Sequence, residues 1–370
     1  MARYAFYFGV EIELISEPHE VRYPLDRRFY YEKLAKSLRS HGLDAKADSL
    51  EEKYRKHSEH YDKWFLTQDG SLGKPDYPAK AVSPVLSTMA NWQTEINLFW
   101  TSWDRVFEMP RRSAKCGSHI HVSPGPNKRF TMTELKNIAC SIVFYANNLN
   151  DMLPSPRRNN TYCQNNWETS LVGLMYKSGS KKDVRQTMER IWKIKDEQEL
   201  KRFMQEDRRV MWNFEHTVPG SRYTGTIEFR GGRGLRGPNR TKWWIAFVVS
   251  FIQLCISSKL FPYKSPSDRP QTDHFWQKIE RYARTIQVAG DLPPDWRDLN
   301  ESYSSEHWED TGDSDSDEDK SDKSDTSSTV STSSSESSDS DSMDLDSDLD
   351  SSDSDSSDLD SSDLDSSDSD

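Results

Sequence analysis

Apolar and polar residues alternate in three short segments of the chain, "YFGVEIELI" (7–15), "SHIHVS" (118–123) and "GTIEFR" (225–230). In each segment every second residue is apolar, which is typical of a β-strand with one face toward a core. The opposite faces carry ionisable or hydroxyl groups instead: Glu11, Glu13, His119, His121, Ser123, Thr226, Glu228 and Arg230. The pattern predicts three strands with an ionisable side.

Helical periodicity predicts long helices between these strands. The predicted helices span 27–42, 88–108, 131–152, 241–260 and 272–287, and a charged helical region is predicted near 183–206. A strand that leads into a turn is predicted over 63–73, the end of another strand over 81–87, and a further strand over 208–217. Strands in mixed order with helices between them favour an α+β fold, in which helices pack on one face of an antiparallel sheet.

The C-terminal segment differs sharply from the rest of the chain. Residues 311–370 hold 22 acidic residues and two lysines, which gives a net charge of −20. Because the net charge of the whole chain is −12, residues 1–310 carry a net charge of +8. Such a segment is too poor in hydrophobic residues to fold. The sequence therefore predicts a folded domain over 1–303 and a disordered Ser/Asp-rich acidic tail over 304–370.

Two interpretations of the tail stay open: a solubilising segment, or one that binds a basic partner or is phosphorylated. Its negative charge excludes nucleic acid as its partner.

The sequence also limits where the protein works. Residues 1–3 lead directly into a predicted strand with no apolar signal-peptide core, so we expect a cytoplasmic protein. The longest apolar run, 243–257, is shorter than the roughly 20 residues that cross a bilayer, which favours a buried core helix and no membrane contact. The four cysteines form no CxxC pair, so neither a disulfide scaffold nor a zinc ribbon is indicated.

Each of the three strand segments has an ordinary explanation when taken alone. An exposed antiparallel face accounts for "EIE", ordinary strand histidines account for "HIH", and an ion pair within the strand accounts for "EFR". If the three strands are neighbours in one sheet, their ionisable faces instead form one site. Clustered carboxylates with imidazole suit Mg²⁺ or Mn²⁺, and such ions together with arginine suit phosphoryl transfer. Zinc is less favoured because there is no HExxH motif, and a P-loop is absent from the sequence.

The order of the motifs "GVEIEL … DGSL … VSPVL … CGSHIHVS … N … GTIEFR" resembles the putative amidoligase family, within the glutamine synthetase and glutamate–cysteine ligase superfamily. The resemblance covers roughly residues 5–260. It implies a curved antiparallel sheet of the glutamine synthetase-like type with helices on its outer face. It also implies an ATP-dependent carboxylate–amine ligase that forms an amide or peptide-like bond through an acyl phosphate, from small-molecule carboxylate and amine substrates.

The same resemblance assigns roles to individual residues. It implies that the ligands of Mg²⁺ or Mn²⁺ are Glu11, Glu13, His119 and Glu228. His121 and Ser123 would face the ATP phosphates, and Arg230 would contact the transferred phosphoryl group or the acyl phosphate. Asn213 and Arg222 would make polar substrate contacts. Asp69, in the "DGSL" turn, would approach the amine or serve only as a turn residue.

One position departs from the family pattern. The family usually carries a glutamate before "VSP", as in "E-x-VSP", whereas this chain reads "PAKAVSP" with Lys80 at that position. Three consequences stay open: Asp76 replaces the lost carboxylate, Lys80 binds phosphate, or catalysis is lost. The rival to the ligase is therefore a non-catalytic member of the family that binds a nucleotide or a partner. A metal-dependent hydrolase is a weaker third alternative.

Overall fold

In the part of the chain that the structure describes, eight strands form one β-sheet. The computed structural model describes residues 5–21, 26–49, 61–69, 72, 77–110, 116–126, 128–158, 160–168, 170–177, 179–220, 224–258 and 269–300. The predicted tail, 304–370, lies outside the described residues, as do Asp76 and Arg222.

The strands follow an order in which β1 lies at the centre. They are β1 (Tyr7–Ser16), β2 (Ala45–Ala47), β3 (Trp64–Thr67), β4 (Tyr77–Val82), β5 (Leu86–Ser87), β6 (Gly117–Ser123), β7 (Trp212–Asn213) and β8 (Ile227–Arg233). Their order in the sheet is β2-β3-β4-β1-β6-β8-β7, and β5 also pairs with the start of β1. Every pair is antiparallel except β2 with β3, so the sheet is mostly antiparallel as predicted.

Two of the other predicted strands differ in outcome. The segment 63–73 begins with the strand Trp64–Thr67, as predicted. The segment 208–217 forms a strand only over Trp212–Asn213, because side chains take the backbone donors that a longer strand would need. The Phe214 N–H donates to Gln205 Oε1 at 2.5 Å, and the Glu215 N–H donates to Asn213 Oδ1 at 2.9 Å. The chain then turns into a short 3₁₀ helix, Glu215–Thr217.

The helices of the described residues are α1 (Arg27–Ser40), α2 (Trp92–Trp103), α3 (Met132–Phe144), α4 (Ala146–Met152), α5 (Ser170–Tyr176), α6 (Lys181–Lys193), α7 (Glu197–Met204), α8 (Pro238–Ser257) and α9 (Thr272–Thr285). The charged helical region predicted over 183–206 is confirmed, and it consists of two helices, α6 and α7. Ile194 ends α6 in an extended conformation, and the Asp196 side chain then accepts from the Glu199 N–H to begin α7. The segment 131–152 likewise holds both α3 and α4.

Aromatic side chains join the apolar face of the sheet to two helices. Phe8 of β1 meets Trp92 of α2 edge-on at 5.5 Å between ring centroids. Phe229 of β8 stacks on Trp244 of α8 at 5.5 Å. Helix α8 is the buried core helix that the apolar run predicted, packed against α2, α3 and α9. Because side chains alternate along a strand, this packing turns the ionisable residues to the opposite face of the sheet.

Two further findings concern the described residues as a whole. None of their helices combines the length and the apolar character that crossing a bilayer requires. All four cysteines lie among them; each is buried and none forms a disulfide.

Candidate active site

The ionisable faces of the three predicted strands lie side by side. Strand β1 pairs with β6, which places Glu11 opposite His119. Strand β6 pairs with β8, which places His121 opposite Glu228. We call the group formed by Glu11, Glu13, His119, His121, Glu228 and Arg230 the polar cluster. The structure thus brings together six of the residues that the sequence singled out, while their roles as ligands and catalytic groups stay predictions.

The three carboxylates of the polar cluster are buried. Glu11 is 5 % exposed, Glu13 6 %, and Glu228 2 %. A solvated antiparallel face, the ordinary explanation of "EIE", is therefore wrong for this protein. Burying carboxylates costs free energy unless cations and hydrogen bonds compensate their charge. The compensating groups come from neighbouring strands on both sides of β1.

Lys80 compensates the carboxylates on the β4 side. It lies opposite Glu13 in the register of β4 with β1. Its Nζ lies 2.6 Å from Glu11 Oε2, 3.6 Å from Glu13 Oε1 and 3.7 Å from Asp69 Oδ2. The backbone N–H of Gly117 also donates to Glu13 Oε2 at 3.1 Å. The departure from the family pattern therefore places an ammonium group among three carboxylates.

Glu228 is held from the β7 and β8 side. Arg230 NH1 donates to Glu228 Oε1 at 2.6 Å, and Asn213 Nδ2 donates to Glu228 Oε2 at 2.7 Å. Asn213 Oδ1 in turn accepts from Gln205 Nε2 at 2.6 Å, so the amide is fixed by its neighbours. Burial by itself would raise the pKa of Glu228, but Arg230 and nearby histidines outweigh burial and hold that pKa well below its usual value. Glu228 is therefore ionised in the folded protein.

The two histidines of β6 lie between the carboxylates. His119 Nδ1 is 3.1 Å from Glu11 Oε2 and 3.4 Å from Glu228 Oε1. His121 Nε2 is 3.5 Å from Glu11 Oε1 and 3.7 Å from Glu228 Oε1. Burial lowers the pKa of His121, against the opposing effect of Glu228 and Glu11, which favours a neutral ring. A neutral imidazole among carboxylates is the form that coordinates a metal ion.

Two overlapping groups of side chains have the geometry of a metal site. In one, Glu11, His119 and Glu228 each offer a ligand atom, and the three atoms lie within 4.8 Å of one another. In the other, His121, His216 and Glu228 meet the same condition within 4.8 Å. Glu228 belongs to both groups.

Three residues near the polar cluster were missed by sequence reasoning. His216 lies in the 3₁₀ helix after β7, with its Nε2 3.6 Å from Glu228 Oε2. Arg157, 1 % exposed, donates from NH2 to the Arg230 carbonyl oxygen at 2.8 Å. The pKa of Tyr61 is raised by burial and by the charge of Glu11. His216 lies within the strand predicted over 208–217, but no motif in the sequence indicates that it approaches Glu228. Arg157 and Tyr61 lie outside the predicted strands, so the sequence carries no signal that points to them.

The remaining predicted site residues have mixed positions. Asp69 lies beside Lys80, at the edge of the polar cluster. Ser123 ends β6, and its hydroxyl donates to the Gly125 carbonyl oxygen at 3.3 Å. Arg222 cannot be placed because it lies outside the described residues, as do Gly70 and Ser71 of the "DGSL" turn.

In buffer without divalent ions, we expect the protein to lose stability as the pH falls through the usual histidine range. The folded state keeps His121 neutral because its pKa is lowered, whereas the unfolded chain takes up a proton. The unfolded state then binds more protons, so stability falls with falling pH. Urea unfolding at pH 7.5 and 5.5 measures this, and His121→Gln should show the smaller loss. An equal loss in both proteins would contradict the assignment.

A sheet whose buried face gathers carboxylates, histidines and an arginine is a candidate active site, because such groups are the usual participants in enzyme catalysis. The family of putative amidoligase enzymes matches this chain over residues 5–252, which is more than half of its length, and the chain belongs to that family. The match includes every residue of the polar cluster and indicates a ligase-type enzyme. No curated protein matches the chain.

Proposed function

We propose that the protein is an ATP-dependent carboxylate–amine ligase, which joins a small-molecule carboxylate to an amine through an acyl phosphate. The observation that carries the proposal is the convergence of Glu11, His119 and Glu228 in one buried group in a chain of the amidoligase family. A fold hosts many functions, so the argument depends on this site and not on the sheet.

The residues present fit a divalent cation. Glu11, His119 and Glu228 would hold Mg²⁺ or Mn²⁺, with Glu13 beside them, because hard cations prefer carboxylate oxygen and Mn²⁺ also accepts imidazole nitrogen. Among the described groups, four carboxylates of Glu11, Glu13, Glu228 and Asp69 face two cations, Lys80 and Arg230. When bound, the ion would supply neutralisation of phosphate oxygens.

Two anions must meet in the first step of this reaction. A carboxylate oxygen attacks the γ-phosphorus of ATP and ADP leaves; the amine nitrogen then attacks the acyl carbon and phosphate leaves, which forms the amide. Arg230 would neutralise the transferred phosphoryl group, since its charge is fixed beside Glu228 and its buried Nε has no hydrogen-bond partner among the described residues. His121 and Ser123 would face the phosphates from β6, and Asn213 would act together with Glu228, which it holds.

The proposal extends to the type of sheet. Three consecutive strands of the sheet, β1 bearing "EIE", β6 bearing "HIH" and β8 bearing "EFR", support a glutamine synthetase-like sheet, with helices α2 and α8 on the face away from the site. The curvature of that sheet would surround the substrates and exclude water, which protects an acyl phosphate from hydrolysis.

A second candidate function is favoured by one observation, the position of Lys80. Its ammonium group lies 2.6 Å from Glu11 Oε2, where it neutralises a carboxylate that a metal ion would otherwise use. A family member that binds a nucleotide or a partner without catalysis would tolerate this arrangement. The two candidates differ in whether ATP is consumed.

We expect the protein to release ADP from ATP and Mg²⁺ only when both a carboxylate and an amine are supplied. Mass spectrometry of incubations with pooled amino acids and small acids should detect a product that equals two components less one water. Hydroxylamine in place of the amine should give a hydroxamate, because it captures the acyl phosphate. Nucleotide binding without ADP release in any mixture would favour the second candidate, and ATP-independent hydrolysis would favour a hydrolase.

A further inference from the structure

We propose that His121, His216 and Glu228 form a separate metal site, with two imidazoles and one carboxylate, which prefers a divalent transition metal ion to Mg²⁺. The site deepens the proposed function, since it shares Glu228 with the cation position described above. The binding of the ion itself does not depend on ligase activity. His216 is the residue that this proposal adds to the chemistry of the site.

The geometry brings the three side chains to one point. One ligand atom from each lies within 4.8 Å of the other two. His216 Nε2 is 3.6 Å from Glu228 Oε2, and His121 Nε2 is 3.7 Å from Glu228 Oε1. Ligand atoms that each lie about 2.1 Å from a shared ion are about 3–3.5 Å apart. The two imidazoles approach different oxygens of Glu228, and the three ligand atoms lie within 4.8 Å of one another, so side-chain rotations would bring them to the spacing of a bound ion.

His121 turns a nitrogen without a hydrogen bond toward this point. Its Nδ1 lies 3.3 Å from the Thr226 hydroxyl, which fixes the orientation of the ring. Its buried Nε2 has no hydrogen-bond partner among the described residues, because the nearest carboxylate oxygens are 3.5 and 3.7 Å away. A metal-ligating histidine commonly has this arrangement, with one nitrogen held by a hydrogen bond and the other directed at the ion.

The charges of the polar cluster favour this side for an ion. On the β4 side, the Lys80 ammonium already lies among Glu11, Glu13 and Asp69. On the other side, Arg230 binds Glu228 Oε1, while Glu228 Oε2 faces Asn213 and His216. The rings of His121 and His216 meet at 5.1 Å between centroids and 65° between planes, so neither ring covers the other. A cation between them would be separated from Lys80 by the carboxylates.

The donor set determines the type of metal. Mg²⁺ binds oxygen in octahedral geometry and keeps several waters, whereas imidazole suits Mn²⁺, Fe²⁺, Co²⁺ and Zn²⁺ progressively better than Mg²⁺. Two imidazoles in a set of three therefore select against Mg²⁺. The side chains of His121 and His216 are 17 % and 18 % exposed, so both rings lie at the edge of the polar cluster.

Titration of the full-length, metal-stripped protein with Co²⁺ tests the proposal, because Co²⁺ bound by nitrogen ligands absorbs visible light. We expect one Co²⁺ ion to bind in the presence of excess Mg²⁺. His216→Gln and His121→Gln should each weaken Co²⁺ binding at least about tenfold, since even changes to the partners of metal ligands cost about 10- to 100-fold. Exposed His274→Gln on α9 is the matched control and should bind as the unaltered protein does.

His119→Gln separates the two metal groups of the polar cluster. Unchanged Co²⁺ binding in this variant, together with the loss in His216→Gln, supports the site. Loss in His119→Gln with unchanged binding in His216→Gln assigns the ion to the Glu11 side and overturns the proposal, as does displacement of Co²⁺ by equimolar Mg²⁺. The titration contains neither ATP nor substrates, so its result is independent of ligase activity. A protein without ligase activity can bind Co²⁺ at this site, and a protein with ligase activity can lack the site.

Discussion

Glu228→Gln is expected to lower ATP-dependent product formation by roughly a thousandfold or more while the fold is retained. Glu228 is the carboxylate on which the polar cluster converges: Arg230 and Asn213 donate to it, and it belongs to both groups of metal-ligand geometry. Glutamine keeps the volume, and its amide oxygen still accepts a hydrogen bond. It carries no charge, so it can neither balance Arg230 nor attract a divalent ion.

The matched control is Glu32→Gln, the same chemical change at an exposed residue of α1 that pairs with Arg39. This control should keep full activity and an unchanged melting temperature, because surface ion pairs contribute about 0–1 kcal/mol. Product formation, nucleotide binding and thermal unfolding are measured for both variants. Activity of Glu228→Gln within tenfold of the unaltered protein would remove Glu228 from the reaction.

The strands that carry the site were predictable from sequence, whereas their contacts were not. Period-two alternation identifies β1, β6 and β8 because each has a packed face and an ionisable face. Nothing in that alternation states that Glu11 lies opposite His119, since register depends on pairing between segments that are far apart in the chain. The family resemblance implied only that Glu11, His119 and Glu228 serve one site, and the sheet order, with β6 between β1 and β8, brings the three together.

Residues that approach the site from irregular segments were not predictable. Arg157 comes from a Pro-rich loop and His216 from a 3₁₀ turn, and both positions depend on tertiary packing. The same competition shortened the strand predicted over 208–217, where Gln205 and Asn213 take the backbone donors of Phe214 and Glu215. Local propensity predicts what a segment favours, and side-chain hydrogen bonds from elsewhere decide what it adopts.

Lys80→Met is expected to destabilise the protein by about 3–5 kcal/mol, because it leaves buried carboxylates without their cation. The Lys80 and Glu11 side chains are 10 % and 7 % exposed and lie 2.6 Å apart, with Glu13 and Asp69 within 3.7 Å of the ammonium. Methionine fills the volume of the lysine stem, so the lost charge dominates the result. Urea unfolding measures the change in free energy. Lys33→Met is the control, since Lys33 pairs with Glu20 at the surface and its loss should cost under about 1 kcal/mol.

Two further measurements show whether the loss arises from charge. The double variant Lys80→Met, Glu11→Gln should lose less stability than the sum of the losses in the two single variants. The reason is that Glu11→Gln removes a carboxylate that Lys80→Met left unpaired. Mg²⁺ or Mn²⁺ should also restore stability to Lys80→Met more than to the unaltered protein, since an ion that binds only the folded state stabilises it. Two results together would mean that Lys80 acts by packing alone: additive free-energy costs of the two substitutions, and equal stabilisation of Lys80→Met and the unaltered protein by divalent ions. In that case the ammonium group would not occupy a position that a metal ion can take, and the position of Lys80 would no longer argue against catalysis.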